Sequence, residues 1–162
     1  TGFSYGSGQV LKFQDARIQS QNPFRAGVAA EPGCNIVSNP AKTNFATLMI
    51  KGEESHYYPI ACETYYKMIK KVGNKIEYVS IPKVNHFFSL NGKIGKGKAV
   101  NGCSKNILIR YSDGSFRFQD GTPSDRRGKF KCFTEESAGG EKNRAKLNHA
   151  INLSLNFLDK YK

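Results

Sequence analysis

Ser4 stands in Gly2-Phe3-Ser4-Tyr5-Gly6, a G-x-S-x-G pattern at the start of the sequence. The pattern suits a serine held on a sharp strand-to-helix turn, where glycines let neighbouring backbone pass closely and leave the hydroxyl clear. A serine hydroxyl attacks well only with a base in hydrogen-bond reach and a carboxylate that fixes the base's tautomer and supports its positive charge. Three histidines could be that base. His86, in IPKVNHFF, falls just past an expected strand, at the carboxyl edge where open α/β sheets carry their sites. His56, in GEESHYYP, also follows an expected strand, and His149 falls on the polar side of an expected helix as a solvated residue.

The elements that must hold these residues can be read from apolar periodicity. A helix is expected after the opening turn to about Gln21, with Val10, Leu11 and Phe13 among its apolar positions. FRAGVAAEPGC gives a short buried strand from Phe24 to Ala30, stopped by Pro32 and Gly33, with Glu31 at its end. An Asn-, Ser- and Pro-containing loop leads to the apolar run Ala46 to Ile50, which suits a parallel strand covered on both faces. A helix from Pro59 to Val72 follows, with Cys62, Tyr65, Tyr66, Ile69 and Val72 at three- and four-residue steps and Gly73 as its cap. KIEYVSIP supplies the next strand, and successive strand–helix–strand units specify an α/β fold.

Past Leu90 the composition changes. NGKIGKGKAVNG is rich in Gly and Lys, and ILIRYSDGSFRFQDG reads as a hairpin turning at Asp113-Gly114. From about Lys142 a helix is expected, with Leu147, Ile151, Leu155 and Leu158 as its buried stripe. The 162 residues suit a single domain: strands and helices over 1–90, a hairpin insertion over 91–141 and the terminal helix over 142–162. No apolar run is long enough to span a membrane.

The formal charge of +12 gathers at Lys67, Lys70, Lys71 and Lys75, at Lys93, Lys96 and Lys98, and from Arg126 to Lys131. No zinc-finger spacing or aromatic RNA-binding signature accompanies it, so it reads as a solvated basic surface and no nucleic acid partner is expected. Cys34, Cys62, Cys103 and Cys132 are too far apart for a C-x-x-C motif, and no metal or other cofactor is expected. Their even number suits two disulfides and an oxidising compartment, periplasmic or secreted; four buried thiols are the alternative.

The turn Gly2 to Gly6, VAAEPGC, LMIKGEESHYYPIAC and IPKVNHFF occur in an order and at spacings that resemble the C-terminal part of an α/β-hydrolase of the dienelactone hydrolase family. DGSFRFQDG, the second cysteine pair and the terminal helix resemble an extension of some bacterial members. The resemblance implies the C-terminal portion of a layered parallel sheet beginning at a nucleophile elbow, with a disulfide-stapled hairpin inserted before a C-terminal helix. It further implies a missing N-terminal half of the same domain, as the partner that supplies a preceding strand and the second oxyanion donor. In the family's chain order the histidine comes last, which favours His86 over His56. Pairs Cys34–Cys62, near the site, and Cys103–Cys132, around the hairpin, are implied by the same likeness.

Two departures bear on the chemistry. The elbow carries Ser4 where dienelactone hydrolases have cysteine, which implies a serine esterase-like relative. Where such relatives read glycine, acid, any residue, aspartate, this chain reads Gly52-Glu53-Glu54-Ser55, so Ser55 takes the acid's position. Glu31 and Glu54 are then equal candidates for the acid; Glu53 and Glu54 otherwise read as a solvated loop. The backbone N–H of Tyr5 is the expected oxyanion donor. The implied activity is hydrolysis of a small carboxylic ester or lactone through an acyl-enzyme, and the alternative is a catalytically impaired, hydrolase-derived binding or structural protein.

Overall fold

The computed structural model describes residues 1–21, 23–89, 96–125, 128, 132–137 and 143–162. In chain order the elements are β1 (Gly2–Phe3), α1 (Tyr5–Leu11), a 3-10 turn (Lys12–Gln14), α2 (Ala16–Gln19), β2 (Ala26–Ala30), β3 (Ile36–Ser38), β4 (Ala46–Gly52), α3 (Pro59–Lys71) and β5 (Ile76–Ile81). Then come β6 (Lys96–Ala99), β7 (Leu108–Arg110), β8 (Phe116–Phe118), β9 (Pro123–Ser124), β10 (Thr134–Ser137) and α4 (Arg144–Asp159).

A parallel sheet with the order β1-β2-β4-β5 forms the centre of an α/β fold. All seven residues of β4 are buried, as a strand covered on both faces requires. Its side chains alternate between two cores. Met49 joins Leu11, Ala29, Tyr65 and Ile69 on the face that α1 and α3 cover. Ala46, Leu48 and Ile50 join Val28, Ile81, Phe88 and Phe157 on the face that α4 covers. Pro59 sits in the first turn of α3, where a missing N–H costs nothing, and Lys70 and Lys71 lie at its carboxyl end, where positive charge is favoured.

Several elements differ from the sequence expectation. The opening helix breaks after the 3-10 turn because Asp15 is extended and its carboxylate caps α2 at Arg17 N, 3.0 Å. The loop after β2 holds strand β3, which runs parallel to β7 at the head of a second sheet, β3-β7-β8-β9. The expected hairpin at Asp113-Gly114 is the antiparallel pair β7–β8 of that sheet. β6 and β10 form a separate antiparallel pair. On α4 the buried positions are Ala150 and Phe157, whereas Ile151 and Leu155 are 46% and 56% exposed. One residue past Ala150 lies about 100° further round a helix, so the expected stripe is rotated toward the rim of the contact face. Residues 90–95 of the Gly- and Lys-rich segment, residues 138–142, and the basic group over 126–131 apart from Gly128 lie outside the described residues. No described helix is long and apolar enough to cross a membrane.

Both cysteine pairs stand at disulfide distance. Cys34, just after β2, pairs with Cys62 in α3, Cα–Cα 4.9 Å, and Cys103 pairs with Cys132, Cα–Cα 4.8 Å. Such pairs are compatible with an oxidising, extracellular environment.

Candidate active site

All four strands of the parallel sheet deliver residues to one place at its carboxyl edge. From β1 comes Ser4, at φ 53° and ψ −116°, a backbone conformation rare for a residue with a Cβ. The turn is held by Ser4 N–H, which donates to Ala30 O at 2.9 Å, and by Ser7, whose N–H and hydroxyl both donate to Ser4 O. Gly2 must be glycine here, because a Cβ would run into the carbonyl of Gly6. A Cβ on Gly6 would meet no described atom, so the second glycine of the pattern has no steric requirement among these residues.

Glu31 directly follows β2; it is wholly buried and also left-handed, at φ 55°. Its N–H donates to Ile50 O of β4 at 2.8 Å, which locks the carboxylate over the end of that strand. β5 leads through a turn with Lys83 at φ 57° to His86, 1% exposed. His86 Nε2 lies 2.8 Å from Ser4 Oγ and Nδ1 lies 3.1 Å from Glu31 Oε2.

Glu31 accepts four hydrogen bonds. Gly52 N–H donates to Oε1, while the Ser55 hydroxyl at 2.9 Å, the Lys51 ammonium at 3.0 Å and His86 Nδ1 reach Oε2. An ionised carboxylate only accepts, and the donors gathered on Oε2, one of them the Lys51 cation, favour that form over the protonated one. Since Glu31 can only accept, the His86 proton resides on Nδ1, and the Nε2 lone pair faces the Ser4 hydroxyl. Burial pushes Glu31 toward protonation, but the His86 hydrogen bond, the Lys51 charge and the Gly52 N–H outweigh it and hold its pKa below the usual glutamate value. Burial pulls the Lys51 ammonium below the usual lysine range, against the opposing pull of Glu31.

Gly52 is required by the same arrangement: a Cβ there would lie 2.5 Å from Val84 O and 3.0 Å from Glu31 Oε1. The other candidates are outside the Ser4–His86–Glu31 hydrogen-bonded chain, though not all are remote from it. Glu54 is exposed and meets this group only through its backbone N–H, which donates to Val84 O at 3.0 Å. His149 is exposed on α4. His56 packs edge-on against His86, ring centroids 4.9 Å apart, and stacks on Phe87. Burial, then the neighbouring His86 and Lys51, lower the His56 pKa to about 4, so it is neutral near neutral pH. Tyr5 is 84% exposed, and as the first residue of α1 its N–H has no intrahelical acceptor. Among the described residues no group of three or more His, Cys, Asp or Glu side chains could hold a metal ion.

The site residue the sequence reading missed is Lys51. Its signal was a lysine at the end of an otherwise apolar strand, where an ammonium needs a buried counter-charge.

No protein-family model matches the chain, and no curated protein is significantly similar to it. A solved structure, the protein Atu2452 of unknown function from Agrobacterium tumefaciens str. C58, is 26% identical with a TM-score of 0.39. The match covers 52% of this chain and 41% of that one.

Proposed function

We propose that this chain carries the catalytic residues of a serine hydrolase of the α/β-hydrolase type, similar to the dienelactone hydrolases, acting on carboxylic esters or lactones. The observation that carries the reading is the continuous hydrogen-bonded chain Ser4–His86–Glu31, with the serine on a left-handed turn between a strand and a helix. Nε2 of His86 takes the hydroxyl proton as Ser4 Oγ attacks the carbonyl carbon. The Tyr5 N–H supports the developing oxyanion, and Glu31 supports the imidazolium. Collapse of the tetrahedral species returns the proton from Nε2 to the leaving alkoxide and leaves an acyl-Ser4 ester. Water, deprotonated by the same nitrogen, then releases the acid and regenerates the hydroxyl.

Ser55, which departs from the family's aspartate, is compatible with activity in this reading because the carboxylate comes from β2. Turnover of a reporter ester should vanish in Ser4→Ala and in His86→Ala, and a fluorophosphonate probe should label Ser4. Turnover unchanged in either variant sinks the proposal; a preparation shown to contain the folded full-length protein that neither turns over esters nor reacts with the probe would instead favour a hydrolase-derived binding protein.

A further inference from the structure

A buried ammonium is costly unless each N–H finds an acceptor. Lys51 is wholly buried, and three acceptors surround its Nζ: Ser55 Oγ at 2.9 Å, Glu31 Oε2 at 3.0 Å and Pro32 O at 3.1 Å. The Ser55 hydroxyl hydrogen donates to Glu31 Oε2, so Lys51 donates to the Ser55 oxygen as well as to Glu31 and Pro32 O. Three bonds donated from one nitrogen take the three N–H groups of an ammonium ion, where a neutral amine has two.

We propose that Lys51 and Ser55 are positioning residues that keep Glu31 ionised and aimed at His86. The inference rests on the hydrolase reading. Lys51 and Gly52 are consecutive, and between them they engage both carboxylate oxygens. Lys51 also holds Pro32 O, the carbonyl just beyond Glu31, and so anchors the left-handed backbone on which the carboxylate stands. Without the ammonium, a buried carboxylate would take up a proton at a higher pH, which removes the charge that supports the His86 imidazolium, or turn away, which removes the acceptor of Nδ1. Among the described residues, the charged and titratable groups that act on or feel Glu31 are His86 from the loop after β5, Lys51 from β4 and, through the Glu31 charge, His56 and the Tyr78 phenol of β5. Behind His86 stand the rings of His56 and Tyr57, each 4.9 Å from it.

The test is the titration of Glu31 in protein carrying carboxyl-13C glutamate, with the resonance assigned through Glu31→Gln. In Lys51→Met the carboxyl midpoint should rise by about one pH unit or more. In Ser55→Ala it should rise by less, in the same direction. The acid limb of kcat/KM for a reporter ester should move upward with it, a displacement that loss of packing alone would not produce. Unchanged carboxyl midpoints overturn the proposal, as does an acid limb that stays fixed while the midpoint moves. Should Lys51→Met fail to fold by circular dichroism, Ser55→Ala decides: a rise supports the proposal and no rise overturns it. The carboxyl titration is independent of turnover. Activity that survives Ser4→Ala would therefore end the hydrolase reading alone, and fixed midpoints in a Ser4-dependent enzyme would end the positioning role alone.

Discussion

Glu31 and Glu54 make the sharpest contrast among single residues. Glu31→Gln should lower kcat for an ester by about 10⁴-fold, the scale on which a serine triad loses its correct histidine tautomer. Glu54→Gln should leave kcat unchanged, since its side chain is exposed and its link to the site is a backbone hydrogen bond. Steady-state kinetics on the two variants checks both. Sequence reasoning could not separate these acids because their positions differ by strand pairing, and pairing is not written in local spacing. Glu31 reaches His86 across 55 residues because β4 lies between β2 and β5 and because its own φ of 55° turns the carboxylate over the end of β4. Ser4 and His86 were legible, one from its glycine pattern and the other from its place beyond a strand. Lys51 was not, since a lysine ending a strand ordinarily snorkels to solvent.

The strands and helices that bury side chains on a regular period were legible in the sequence. β4 shows as an apolar run, α3 as a three-and-four repeat between Pro59 and Gly73, and β5 as a separate strand. β3, β6 and β10 were hidden because they are three or four residues long, too short for periodicity to show. Two outcomes belong to this scale. Gly52→Ala forces a methyl against Val84 O and Glu31 Oε1, and should cost about 1–3 kcal/mol in urea unfolding together with most of the proposed turnover of a reporter ester. Cys34→Ser with Cys62→Ser removes the bridge from the loop after Glu31 to α3 and should cost about 2–4 kcal/mol in the same assay.

For the molecule as a whole, pH acts through His56 before it reaches Glu31. His56 takes up its proton near 6.5 in the unfolded chain and at about 4 when folded, so the unfolded state binds more protons across that interval. Its contribution to stability is complete above pH 6.5 and is lost as pH falls toward 4. Thermal midpoints measured over this range should decline with acidity, and His56→Phe, which keeps a ring against Phe87, should flatten the decline. Glu31, whose folded pKa is depressed, adds its own loss at lower pH, as pH falls through the folded value. The left-handed Ser4 has a consequence of another kind. Lys51 and Gly52 lie within β4, Ser4 and Glu31 directly follow β1 and β2, and His86 follows the turn after β5, so a slip of any of these strands against its neighbour would displace the residue it carries or leads to. Reactivity of Ser4 is thereby a gauge of sheet cooperativity: across a urea titration, the fluorophosphonate labelling rate should fall together with global unfolding, with no earlier decline of its own.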